Sequence, residues 1–197
     1  MMRLLLIAAF LAAAPAARAA EATQDWPCIQ VRQPHLSVGQ LWSGQPPDES
    51  TADLARAPEV AKLADTLAQR RITMEDAAPL LAAFPTDPAH RTALFVAVFD
   101  RIEGERQAIM QGISRFGHGQ AALAAQIEER RAKMAQQQSA AAPDFDAIDA
   151  EEEKLDWDMR IFTERQQMLT AVCESPVLLE QRLFALGRDI ATPTPTP

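Results

Sequence analysis

The residue types that could do chemistry in this chain are three histidines, two cysteines and a run of carboxylates. His35, His90 and His118 are far apart in sequence, and no two have the spacing of a metal-binding pair on a helix. His118 lies between Gly117 and Gly119, where small neighbours could admit a ligand, although a packing role accounts for it more simply. The carboxylates gather at Asp144, Asp146, Asp149, Glu151, Glu152, Glu153, Asp156 and Asp158. The stretch Asp144 to Asp149 superficially evokes a calcium loop, but it lacks that loop's central glycine and correctly placed final glutamate. Acids at the start of a helix also complement its dipole. If they act on a partner, Asp144, Asp146, Asp149 and Glu153 form an acidic surface for a basic protein. Glu128, Glu129, Arg130, Arg131 and Lys133 precede them across a turn, so ion pairs between the two segments can absorb part of the acidity.

No catalytic constellation is expected. The chain has no Gly-x-Ser-x-Gly, no phosphate-binding glycine loop and no His-Glu-x-x-His. No metal, cofactor or catalytic residue is assigned. Cys28 and Cys173 are the only cysteines. No Cys-x-x-Cys occurs, so a disulfide is expected in an oxidising compartment. It would close a loop of 145 residues, and the chain-entropy model puts its contribution at about 5 kcal/mol.

The elements that position these residues are expected to be helices, giving an all-α fold. Alanine, glutamine, glutamate, arginine and leucine abound, tyrosine and asparagine are absent, and runs of β-branched residues are rare. Residues 20–50 read as an irregular arm. It carries Trp26, Ile29, Val31, Leu36, Val38, Leu41 and Trp42, too many large apolar groups for a free linker. The arm is expected to lie along the helices, tethered at Cys28 and anchored by Trp26 and Trp42. An exposed aromatic strip that contacts a partner is the alternative for those two rings.

A helical domain is expected over 51–190. A first helix from about Pro58 to Arg70 presents Val60, Leu63, Ala64 and Leu67. Thr73 and Asp76 form a capping box for a second helix that Pro85 ends. Asp87 and Pro88 then start a helix reaching about Gln138. Its first part is apolar on most sides, and a three-four spacing follows at Ile102, Arg106, Ile109, Ile113, Phe116, Gln120, Leu123, Ile127, Arg130 and Met134. The stretch from Phe116 to Gly119 is the expected kink or point of close packing. After a turn at 136–143, a return helix runs to about Glu174 with a seam at Ile148, Glu152, Leu155, Met159, Phe162, Gln166, Leu169 and Cys173. Two such seams about a short loop predict a long antiparallel hairpin. A turn centred near residue 141 sets Cys173 opposite about residue 109, so the arm belongs at the end distant from the turn. Ser175 and Pro176 are expected to restart the chain as a short last helix capped at Gly187, followed by a disordered Thr/Pro tail over 191–197.

Residues 1–19 read as a signal peptide: Arg3, an apolar run from Leu4 to Leu11, and Ala17-Arg18-Ala19 as the cleavage site. The run is short of the roughly 20 apolar residues that span a bilayer. Nothing after residue 20 is apolar enough to do so, and no stable membrane insertion is expected after cleavage. Losing Arg3 and Arg18 from the 19 basic residues leaves 17 against 27 acidic ones, a net charge of −10. Such a surface repels nucleic acid and anionic lipid.

The arm carries a resemblance. Asp25-Trp26-Pro27-Cys28, then Pro34 to Val38 and Leu41 to Gly44, resembles the start of small exported alphaproteobacterial proteins of uncharacterised function. The resemblance covers about 20 residues and implies a periplasmic or secreted protein. The expected function is a non-enzymatic accessory or scaffold factor that binds another periplasmic or envelope protein. A periplasmic chaperone or stress protein is the alternative, to which Met110, Met134, Met159 and Met168 lend adaptable apolar surface. A small-ligand carrier or enzyme is a further one. The seam also admits a homodimer, filled by a second copy.

Overall fold

The computed structural model describes residues 26–192, so the leader, the start of the arm and the tail from residue 193 lie outside the described residues. Among the described residues six helices occur in the order α1 Val38–Leu41, α2 Thr51–Ala55, α3 Pro58–Leu67, α4 Met74–Ala82, α5 Pro88–Gln138 and α6 Phe145–Ala191. No strand occurs among the described residues. The fold is all-α: α5 and α6 form a long antiparallel hairpin, with the short helices and the arm packed at its open end.

Local chemistry sets most helix starts. Thr73 Oγ1 accepts from Asp76 N–H at 3.1 Å, and Thr73 N–H donates back to Asp76 Oδ2 at 3.2 Å. Asp87 Oδ1 accepts from His90 N–H at 3.1 Å, with Pro88 in the first turn. Two arginines serve the opposite ends. The buried Arg91 guanidinium donates to the carbonyls of Leu81, Phe84 and Pro85 at the end of α4, and to that of Ile190 at the end of α6. Burial pulls its pKa down, yet a cation at two helix C-termini is held by their carbonyl dipoles. Arg182 donates Nη2 to Leu67 O at 2.6 Å and so closes α3.

The main core joins Val60, Ala64 and Leu67 of α3, Ala77 and Leu81 of α4, Leu94 to Ile102 of α5, and Leu179, Leu183, Leu186 and Ile190 of α6. A second cluster holds Trp26, Cys28, Met110, Ile113 and Cys173. Cys28 and Cys173 are bonded there, with Cα atoms 5.6 Å apart. The expected register, Cys173 opposite about residue 109, agrees with this cluster. Between the two clusters Arg106 is 1% exposed. Its Nε donates to Glu180 Oε1 at 2.7 Å, Nη1 to Glu103 Oε2 at 3.3 Å, and Nη2 to Gln33 O. Glu103 Oε1 also accepts from Leu36 N–H at 3.3 Å. A buried guanidinium costs several kcal/mol to desolvate unless its donors are matched, and here the arm backbone is part of the match.

Several expectations change. The arm is not irregular throughout: α1 lies within it, and α2 precedes the first expected helix. Asp48 Oδ1 organises the approach to α2, accepting from Ser50 N–H at 2.9 Å and Thr51 N–H at 3.1 Å. Not all the arm's apolar groups are buried, for Ile29 and Val31 are 81% and 75% exposed. The first expected helix stops at Leu67, short of Arg70. Residues 116–119 stay helical, and Gly117 is buried there.

The largest change is at Pro176, where α6 continues. Proline in a helix interior costs about 3 kcal/mol. Leu179, Leu183 and Leu186 lie beyond it, each almost wholly buried, and are worth about 1.5 to 3 kcal/mol apiece. Their burial outweighs the proline. Gly187 is therefore no C-cap but an interior residue: a Cβ there would stand 2.8 Å from Leu41 O and 2.9 Å from Phe95 Cε2. Its lack of a side chain lets α1 close on α6, beside Trp42 stacked on Phe95 with ring centroids 4.7 Å apart.

Candidate functional site: the distal half of the hairpin

The two apolar clusters reach no further along the hairpin than Ile113 on α5 and Leu169 on α6. From Ile113 to Gln138 is about 38 Å at 1.5 Å per residue. Over that length the buried residues are Gly117 and Ile127 of α5 and Ile148, Glu151, Leu155 and Asp158 of α6.

Two of those six are carboxylates, and this corrects the expected seam. Glu152 and Met159 are exposed, and Glu151 and Asp158 take the inward positions. The buried steps are three, four and three residues (148, 151, 155, 158), which keep one face of a helix as well as the expected four and three. The choice is made from across the hairpin. Arg130 Nε donates to Asp158 Oδ2 and its Nη1 to Glu151 Oε1, both at 2.7 Å. Lys133 Nζ donates to Glu151 Oε2 at 2.8 Å, and Gln126 Nε2 to Asp158 Oδ2 at 2.7 Å. Hydrogen bonds from Lys133 and Arg130 hold the Glu151 carboxyl down at about 2, well below its ordinary 4.5. The same bonds, to Glu151 and Asp158, raise the Arg130 pKa. These ion pairs fasten the two helices across the distal hairpin. Arg131 does not join it. Its Nη1 donates to Glu128 Oε1 at 2.7 Å on its own helix and its Nη2 to Met159 Sδ at 3.6 Å.

The expected partner contacts divide into two groups. Trp26 and Trp42 are used in packing: Trp26 is 8% exposed with Nε1 donating to Gln30 O, and Trp42 lies on Phe95 with Nε1 donating to Gln45 O. Asp144 caps α6, its Oδ1 accepting from Ala147 N–H at 3.1 Å. Asp146, Asp149 and Glu153 stand exposed on the outer side of α6. The residue that sequence reasoning missed is Trp157. It is 59% exposed among those acids, and Phe145, at the start of the same helix, is 70% exposed. The Arg160 guanidinium lies 5.9 Å from the Trp157 ring centroid. An open cleft of about 570 Å³ surrounds the indole, bordered by Glu153, Lys154, Asp156 and Arg160. A second groove of about 330 Å³ runs between the helices on another side, over Ala124, Ala125, Ile127, Met159 and Phe162. A tryptophan at helical spacing signals core before surface, and only the phase of the seam reveals that this one faces out.

The histidines stay apart. His35 is in the arm, with Gln107 Nε2 at 3.4 Å; His90 pairs with Asp87 Oδ2 at 2.9 Å; His118 is exposed on α5, about 42 Å along the helix from His90. Among the described residues no three histidine, cysteine or acidic groups could hold a metal ion. None of the described helices is long and apolar enough to cross a membrane. No family model matches the chain, and neither a curated protein nor a solved structure does.

Proposed function

We propose that this chain is an exported, non-enzymatic accessory protein that binds another periplasmic or envelope protein through the distal half of its hairpin. One observation carries the reading: the distal α5–α6 pair lies beyond both apolar clusters yet presents Phe145, Trp157, Met159 and Met168 to solvent. Trp157 and Met159 each border an open groove of the distal hairpin, and exposed large apolar groups at such grooves suit contact with a partner. The fastener of Arg130, Lys133, Glu151 and Asp158 supports it, because a rigid arm spends less ordering entropy on binding. A covalently pinned base at the opposite end lets the arm project. The leader expected over residues 1–19 supports export of such a factor to the periplasm.

The test is crosslinking in cells with a tagged full-length copy, followed by mass spectrometry of the periplasmic and envelope fractions. One dominant partner is expected, lost when Trp157, Met159 and Met168 are together replaced by serine. A partner retained by that variant, or none at all, would contradict the reading. The two exposed methionines also favour a second reading, a chaperone with adaptable apolar surface. Many unrelated crosslinked proteins, with suppressed aggregation of unrelated clients, would select it.

A further inference from the structure

The outer face of α6 near the turn carries groups that the chain's own packing does not use. Phe145, Asp149, Glu152 and Asp156 follow at steps of four, three and four residues, and Glu153, Trp157 and Arg160 run beside them. All seven are exposed. Next to them, Glu151 and Asp158 are ion-paired by 2.7 to 2.8 Å contacts, whereas Asp149, Glu152, Glu153 and Asp156 have no ion-pair partner among the described residues.

We propose that this face docks a basic segment of the partner, a lysine- or arginine-rich stretch whose own apolar side chain lies against Trp157. The proposal rests on the hairpin being the binding arm, and goes further in naming the face and the chemistry of its occupant. Charge complementarity selects that occupant. Four unpaired carboxylates steer a cationic chain and resist an acidic one, and the exposed indole supplies an aromatic anchor for the partner to cover. Guanidinium already lies over this ring in the form of Arg160, a contact that shows the ring's affinity for a cation. A second copy of the chain matches poorly: its net charge is −8, and on the hairpin Arg130, Arg131 and Lys133 are already paired. Anionic lipid is repelled by the same charge.

The experiment places a photoreactive benzoylphenylalanine at Glu153 in the full-length protein in cells, with Ala125 in the apolar groove as the comparison site, and sequences the crosslinked peptides. An adduct from position 153 to a segment with several lysines or arginines is expected. Its yield should fall at least about tenfold in an Asp149→Lys, Glu152→Lys, Asp156→Lys variant, and also in Trp157→Ala, both checked for unchanged helicity and melting. Adducts from position 125 alone would overturn this face while leaving the binding-arm reading intact. An adduct to a neutral or acidic segment, an adduct to a second copy, or a yield indifferent to charge reversal would overturn the proposal. No adduct from either position would overturn both.

Discussion

Glu151 is the residue on which the distal hairpin turns. It sits in a run of three consecutive glutamates, Glu151 to Glu153, and nothing in that run marks which one faces inward. Across the hairpin, Arg130 and Lys133 decide it. The folded carboxyl is held at about 2 against an ordinary 4.5, so ionised Glu151 favours the folded state. That contribution is complete above pH 4.5 and is lost as the pH falls toward about 2. Glu151→Gln is therefore expected to lower the melting temperature at neutral pH. The gap to the parent protein should close on acidification through that window. Thermal melts of both proteins between pH 7 and pH 2 check this, and a gap that widens in acid would refute it. A carboxyl resonance of Glu151 titrating near its ordinary value would do the same. Trp157 was legible but unread: two residues from Leu155 and from Met159, it lies about 200° around the helix from the expected seam and so faces out.

At the scale of elements, capping chemistry was legible because it is local. Thr73 with Asp76, and Asp87 with Pro88, place the starts of α4 and α5 where the sequence put them. Pro176 and Gly187 misled because their surroundings are not local. Pro176 reads as a restart of the chain and Gly187 as a C-cap, yet both lie inside α6, with Leu179, Leu183, Leu186 and Ile190 buried in the main core. The two kinds of helical glycine give an expected pair of opposite signs. Glycine to alanine in a helix interior ordinarily gains about 1 kcal/mol. At Gly119 a Cβ meets nothing within 4 Å, so Gly119→Ala should gain that amount. At Gly187 the added methyl would press on the Leu41 carbonyl and Phe95, so Gly187→Ala should lose about 1 to 3 kcal/mol and loosen α1. Urea midpoints measure both. Equal gains at the two sites would show that α1 does not pack there as described.

At the scale of the whole molecule, the division of labour follows from where the core is. The base holds the arm, the short helices, both apolar clusters and the Cys28–Cys173 bridge, and the distal hairpin holds a polar fastener and exposed apolar groups. The hairpin, its turn and the placing of the bridge at its open end were legible, because the three-four spacing and the two cysteines are long-range signals that simple symmetry about a turn relates. The arm's fastening through Arg106 was not, since it depends on a backbone carbonyl, Gln33 O, that no side-chain pattern records. Both cysteines are buried, and replacing them with alanine is expected to cost about 2 to 5 kcal/mol in a urea melt. The far-UV signal of the long helices should persist, because α5 and α6 are also joined by the main core and by the Arg130, Glu151 and Asp158 cluster. Loss of helicity without denaturant would contradict this. The central claim, that the distal hairpin is the binding arm, is tested most directly by moving one photoreactive residue over the surface of the intact protein in cells. Adducts are expected from positions between Phe145 and Met168 and not from base positions such as Glu59 and Glu75. Adducts confined to the base would contradict the account.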